Sequence, residues 1–481
     1  ETPVSPGFEA PLAAWNVYAA IRGNNFSLSY FRNYTKVPTA YGNNANNAVF
    51  NKEVYMGQTV GILNATYRAS FGKFSSASML TSSEYELDPR TNYRNLYTGM
   101  EPGYKYSSCL MMKIEELITF KASDKLNVTA GAGFERYNSI PQSGDLKAPV
   151  DKDTYLDGSY VGTGSYYRPG GLQAQFYHIR FTNTGAYFQA QYSPDKNVHF
   201  TVGARYDVNS RYGSTFNPRL GLVYKPFEKT TIKVLYGSAY LAPSPSDAYV
   251  HYGSFDTPDS GRTYHSYFLH LPNPGLKPIR SKNFELNLRH HITENMSFSV
   301  NGYFNELSNL YTFADDNEST KLYNNQFNGI PVDYVEVFVN RGKQHNYGGS
   351  LQLNWNASSG NVYFHSYGSV SYADGLRKST EPGGKDMELD FISHFITRIG
   401  TDIKAGNFTC SPRLMILSEQ HIAGIADETG SVVKRQSIPG YALLNFSVRY
   451  TVKKGISCFA NVSNALNQRY RSVGFNMDMN N

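Results

Sequence analysis

Val198-His199-Phe200-Thr201-Val202-Gly203-Ala204-Arg205-Tyr206-Asp207-Val208 is the stretch whose reading decides the fold. Val198, Phe200, Val202, Ala204, Tyr206 and Val208 share one parity and are apolar or aromatic. His199, Thr201, Gly203, Arg205 and Asp207 share the other and are polar or small. Side chains alternate faces along a strand, so the segment has one greasy face and one wet face. Its length suits a strand crossing a bilayer at a tilt of roughly 45°. Repeated over hundreds of residues, the pattern predicts a barrel with lipid outside and water inside.

Composition supports this reading. Of 481 residues, 40% are apolar and 17% charged, against about 25% charged in an average soluble domain. Tyr (39) and Phe (29) dominate an aromatic share of 15%, and aromatic girdles at both water interfaces are expected of membrane barrels. No run reaches the ~18 apolar residues of a transmembrane helix. Barrels need none, because a closed sheet also satisfies every backbone group internally. The segment after Glu1 has no basic stretch and apolar run of the secretion-signal kind. Cys109, Cys410 and Cys458 are odd in number and far apart, so they predict neither a disulfide framework nor a metal site. The net charge of +6 is modest and compatible with anionic ligands.

Hairpins recur with short polar turns. The paired segments are 183–192 with 198–208, 220–225 with 230–240, 284–291 with 296–304, 396–403 with 408–417, and 441–452 with 456–462. Gly, Asn, Asp and Pro supply the turn chemistry. Longer Gly-, Asn-, Ser- and Tyr-rich segments separate them at 34–57, 86–105, 139–178, 241–280, 307–331, 375–388 and 420–438. Short turns at one end and long loops at the other are the asymmetry of outer-membrane barrels, whose long loops are extracellular. The expectation is an all-β, transmembrane antiparallel barrel with 18 to 20 recognisable strands and no second domain.

Four blocks carry a resemblance. Tyr236-Gly237-Ser238-Ala239-Tyr240-Leu241-Ala242-Pro243 is followed by Asn273-Pro274-Gly275-Leu276-Lys277-Pro278 and then Phe284-Glu285-Leu286. Upstream stand Gly203-Ala204-Arg205-Tyr206-Asp207 and Phe216-Asn217-Pro218-Arg219-Leu220-Gly221. Near the end come Asn445-Phe446-Ser447-Val448-Arg449-Tyr450 and Val462-Ser463-Asn464-Ala465-Leu466-Asn467-Gln468-Arg469-Tyr470. In this order they resemble the barrel of TonB-dependent outer-membrane receptors; residues 1–190 fit only by strand pattern. The family barrel has about 22 strands and a plugged lumen. This sequence contains no counterpart of the N-terminal plug and stops at Met479-Asn480-Asn481 without the family's terminal aromatic strand. The resemblance therefore implies residues 1–481 as a barrel portion lacking the plug and the final strand.

What the resemblance implies is active import of a scarce, large solute, with a ferric siderophore or similar metal chelate leading and haem or cobalamin behind. Implied partners are the TonB–ExbB–ExbD complex acting through a plug, outer-membrane lipid, the chelate and a surface lipoprotein; no nucleic acid and no catalysis are expected. No intrinsic cofactor is expected. Ligand-loop candidates are His251, His265, His270, Tyr264 and Tyr267, because imidazole and phenolate ligate haem iron, and Tyr166, Tyr167 and Arg168, because aromatics and Arg suit a carboxylate or catecholate. Asp315, Asp316 and Glu318 are candidate Ca²⁺ ligands, with a solvated acidic turn the favoured reading of the three. His199, Arg205, Asp207 and Arg449 are expected to face the lumen and a plug. A passive porin is the rival reading, disfavoured by the four blocks. No G-x-S-x-G or H-E-x-x-H signature suggests an enzyme.

Overall fold

Alternation along each strand gives every strand two faces, and neighbouring strands stay in phase across the sheet. In the computed structural model the described residues run from 8 to 471, apart from 41–46, 96–97, 99, 145, 147, 152–161, 166–172, 250, 257–264, 315–323, 328–329, 380–384 and 423–435. They form a 21-stranded sheet. Three of its members are short loop strands, Tyr252–Asp256, His265–Leu271 and Met387–Glu388, leaving eighteen wall strands from Ala13–Arg22 to Ile456–Val462. Wall neighbours are consecutive in sequence and antiparallel, a simple meander. Among the described residues Ala13–Arg22 pairs with Phe26–Pro38 and Ile456–Val462 with Tyr441–Lys453, and no ladder joins these two outer strands.

The Val198–Asn209 strand behaves as its alternation dictates. Phe200, Val202, Tyr206 and Val208 are 41–51% exposed, whereas Asp207 on the other parity is 1% exposed. The outward parity continues through Leu110, Met112, Ile114, Phe134, Phe188, Leu220, Phe284, Leu351 and Ile399, all exposed. No described helix is long and apolar enough to cross a membrane, which has no bearing on strands.

Tight turns close one end. Phe71 and Phe74 flank a two-residue turn, as do Ala405 and Phe408, where Gly406 sits at φ +56°, a region costly for other residues. The other end carries the long connections, with one exception. Ser210–Tyr212 joins Val198–Asn209 to Gly213–Phe227 in three residues. That strand starts seven residues before the expected segment at 220, because Pro218, which lacks an N–H, reads as a strand breaker although the alternation runs through it. Pro218 nevertheless pairs with Ala204. Val335–Ser359 and Val362–Lys378 form a further long hairpin about Gly360-Asn361, a turn signal that sequence reading missed.

Among the described residues, buried apolar side chains lie at the loop ends of the wall strands or in the connections above them. Val54, Leu87, Tyr106, Ile140, Leu146, Leu269, Leu271, Leu276 and Val335 are all at most 8% exposed, and all lie in or beside the long connections. The hydrophobic core of this molecule is in its loop cap.

Candidate ligand path: inner wall and loop cap

The inner face owes its geometry to missing side chains. Register aligns Glu115, Gly133, Gly185 and Asp207 in one row across four strands, and Leu117, Gly131, Tyr187 and Arg205 in the next. A Cβ on Gly131 would collide with the Tyr187 ring, and one on Gly185 with Asp207 and Arg205. Glycine therefore lets large polar side chains lie flat against the wall. Arg205 donates through Nε (2.8 Å) and Nη2 (2.7 Å) to the two Asp207 oxygens, the bidentate pairing that guanidinium geometry favours. Its guanidinium lies 5.5 Å from the Tyr187 ring centroid, and Tyr187 donates to Glu115 at 3.2 Å. Lys113 bridges Glu115 (2.8 Å) and Glu135 (3.8 Å). Tyr137 donates to Glu135 at 2.8 Å, and Asn183 links Glu135 at 3.4 Å to Asp207 at 3.5 Å. One connected polar sheet results, from Lys113 to Asn209.

Of the expected inward residues, Arg205 and Asp207 join this network. His199 bonds Ser193 Oγ through Nδ1 at 2.7 Å near the turn end. Arg449 is exposed on the inward parity, opposite Thr409. Lys113, Glu115, Tyr137 and Tyr187 are members that sequence reading missed; the alternation of Lys113 with Met112 and Ile114 was the available signal.

Further inward groups are basic. Lys233, Arg289, His291 and His365 line a cavity of about 660 Å³ at the turn end of the wall, with Glu294 at its edge.

At the opposite end the loop after Leu241 folds onto its neighbours. Ser244 Oγ accepts from the Asp247 amide at 2.9 Å and caps the short helix Pro245–Tyr249. Arg211 donates to the Pro243 carbonyl at 3.1 Å and lies over the Phe181 and Tyr249 rings at 4.8 and 5.4 Å. Tyr252–Asp256 and His265–Leu271 form a ribbon, and Leu269, His270 and Leu271 pair in parallel with Val335, Glu336 and Val337. The Asn273-Pro274-Gly275-Leu276 block completes the fold. Asn273 Oδ1 accepts from the Gly275 amide at 3.0 Å, its Nδ2 donates to the Phe338 carbonyl at 2.8 Å, and Leu276 is 1% exposed. Asn340 fastens both sides, accepting from the Lys277 amide at 2.7 Å and donating to its carbonyl at 2.9 Å.

His251 and His270 are built into this cap. They are 3% and 2% exposed. His270 Nδ1 lies 3.0 Å from Glu336 Oε1, with its ring edge-on to Phe313 and Phe338 at 6.0 and 5.1 Å. Burial, with His270 nearby, lowers the His251 pKa to about 4. Burial likewise lowers that of His270, with Glu336 opposing. Burial favours the neutral form of both rings, and neither faces solvent. His265 and Tyr267 lie in the His265–Leu271 strand. Tyr264, Tyr166, Tyr167, Arg168, Asp315, Asp316 and Glu318 lie outside the described residues. Among the described residues no three His, Cys, Asp or Glu side chains are grouped as metal ligands.

Comparisons with known proteins agree with this architecture. Over 321 residues the chain is 23% identical to the vitamin B12 transporter BtuB of Photobacterium profundum, covering 65% of this chain and 44% of that relative. It is 26% identical over 135 residues to an iron-regulated outer membrane virulence protein of Vibrio cholerae, 28% of this chain and 19% of that one. Among solved structures, the ferric enterobactin receptor PfeA of Pseudomonas aeruginosa matches with TM-score 0.63 at 14% identity, covering 94% of this chain and 64% of that one. The outer membrane transporter YddB of Escherichia coli matches with TM-score 0.64 at 11% identity, covering 95% and 65%. The chain thus spans less than half of these curated relatives and about two thirds of these solved structures. A family model described as TonB dependent receptor-like, beta-barrel, matches residues 10–465. With that match across nearly its whole length, this chain belongs to the TonB-dependent receptor β-barrel family, outer-membrane proteins of Gram-negative bacteria.

Proposed function

We propose that this chain is the wall of an active importer that takes up a metal chelate, with a ferric siderophore the leading substrate. The observation that carries the reading is the flat inward network from Lys113 to Asn209, laid over Gly131, Gly133 and Gly185. A polar, side-chain-satisfied wall offers a plug a surface it can leave without exposing apolar area to water. Energy would come from TonB with ExbB and ExbD, acting through a plug. The basic cavity lined by Lys233 and Arg289 favours an anionic chelate on its way out. Ferric enterobactin reception by one structural relative points the same way.

Cobalamin is the second reading, favoured by the transporter matched over 321 residues. Haem receives no support from His251 and His270, whose rings are enclosed by the cap.

The test is uptake of radiolabelled ferric catecholate, haem and cobalamin by cells carrying the intact receptor, with and without TonB. The reading expects ferric chelate to enter only with TonB. Uptake indifferent to TonB would assign the wall to a passive pore, and TonB-dependent uptake of cobalamin alone would select the second reading.

A further inference from the structure

Four inward cations fall on one line. Arg205, Arg219, Lys233 and Arg289 stand on four successive wall strands, Val198–Asn209, Gly213–Phe227, Thr230–Leu241 and Ile279–His291. Register places them on a descending diagonal. Arg205 pairs with Asn217, two residues to the loop side of Arg219. Arg219 pairs with Gly237, four residues to the loop side of Lys233. Lys233 pairs with Asn287, two residues to the loop side of Arg289. Every step leads toward the turn end, and together they cover about 26 Å of strand at ~3.3 Å per residue. That is close to the ~25 Å height of a barrel's apolar band.

The wall is hollowed along this line. A cavity of about 400 Å³ reaches from Arg205 to Arg219, and one of about 440 Å³ from Arg219 to Glu285. The basic cavity of about 660 Å³ continues from Lys233 to Arg289. Glycine makes the room: Arg219 lies over Gly203, whose Cβ would stand 3.1 Å from its Nε, and a Cβ on Gly237 would meet nothing within 4 Å. Asn217, Asn283 and Asn287 supply neutral amides between the cations. The carboxylates on the line are Glu115, Glu285 and Glu294, and Lys113 holds Glu115 at 2.8 Å. Arg205 is held by Asp207, whereas Arg219, Lys233 and Arg289 have no ion pair with any described residue. Cations in a cleft with low-dielectric walls concentrate anions, and several weak sites in series let a bound ion be handed on.

We propose that this diagonal is the lane by which an anionic chelate descends the wall, its carboxylate or catecholate oxygens passing from Arg205 and Arg219 to Lys233 and Arg289. The lane presupposes the import reading and adds to it a route and a charge requirement for the cargo.

Cells carrying the intact receptor provide the test, through TonB-dependent uptake of radiolabelled ferric catecholate. Surface binding is read separately in cells lacking TonB. Arg219→Gln/Lys233→Gln is expected to slow maximal uptake about tenfold while surface affinity stays at the wild-type value. Arg219→Lys/Lys233→Arg keeps both charges and should keep most of the rate. Arg398→Gln, which removes an inward cation off the line on Phe395–Ala405, should change nothing. If the neutralised pair does not reach the outer membrane, Arg289→Gln is read in its place, with a loss of about threefold expected. Unchanged uptake in the variant read overturns the lane. So does an equal loss in the charge-keeping pair, which would make the two side chains structural, and so does a loss confined to surface affinity. A wild type that imports no ferric catecholate contradicts the substrate reading itself and removes the lane's cargo; a wild type that imports it, matched by the neutralised variant, contradicts the lane alone.

Discussion

The wall and the loop cap solve the problem of burial in opposite ways. The wall exposes its apolar residues, Val202 and Phe188 among them, and shelters a charge, Asp207. The cap does what soluble proteins do, packing Leu269, Leu276 and Val335 inside. One chain is therefore written in two solvents. In lipid the hydrophobic effect between apolar groups vanishes, so the wall is held by its ladder and its inward polar pairs. In water the cap is held by buried area.

The largest effect that tests this contrast comes from a charge on the lipid side. Val202→Arg should destabilise the barrel by about 2–4 kcal/mol. Thr201→Arg, one residue away on the wet face, should stay within about 0.5 kcal/mol. Denaturant titration of the protein folded into vesicles compares the two, and equal losses would break the assignment of faces.

Next comes the inner network. Removing Arg205 leaves Asp207 buried without its cation, a loss of 3–5 kcal/mol for a fully buried pair. Arg205 is itself 39% exposed, so solvent screening reduces the expected cost of Arg205→Ala to about 2 kcal/mol. Arg205→Ala combined with Asp207→Asn should recover part of that loss in the same titration; no recovery would mean the two side chains act separately.

The cap should lose stability in mild acid. An unfolded histidine takes up its proton near pH 6.5, whereas buried His251 does so at about 4. Between those values the opened cap binds more protons than the closed one, so its stability falls as pH falls. By pH 5 the loss is about 2 kcal/mol from His251 alone. Hydrogen exchange at Leu269–Leu271 should accelerate between pH 6.5 and 5 beyond the intrinsic change, and His251→Gln should reduce that dependence to the part His270 supplies.

The smallest effect sharpens the local account. Ser244→Ala removes the cap of Pro245–Tyr249 and should cost about 1 kcal/mol. Amide exchange should rise there and stay unchanged in Val198–Asn209.

The same division explains what the sequence made legible. Wall strands declare themselves locally, since two parities of six residues suffice to assign Val198–Asn209. Gly213–Phe227 was half hidden because Pro218, with no N–H to give a ladder, reads as a break, although it keeps the apolar parity of Phe216 and Leu220 and pairs with Ala204. The role of His270 was illegible for a different reason. Its neighbours Glu336, Phe313 and Phe338 come from strands more than forty residues away, and no spacing within a loop announces a partner that distant. The inner network is intermediate. Arg205 and Asp207 stand out by parity, whereas the glycine row that lets them lie down appears only when four strands are set in register.

The central claim is that one face of each wall strand meets lipid and the other the aqueous path. Single spin labels at positions 199 to 208, read for collision with oxygen and with a water-soluble nickel chelate, test it most directly. The account predicts strict alternation, with 200, 202, 204 and 206 favouring oxygen and 199, 201 and 205 favouring nickel. Uniform accessibility along the strand, or the opposite parity, would contradict it.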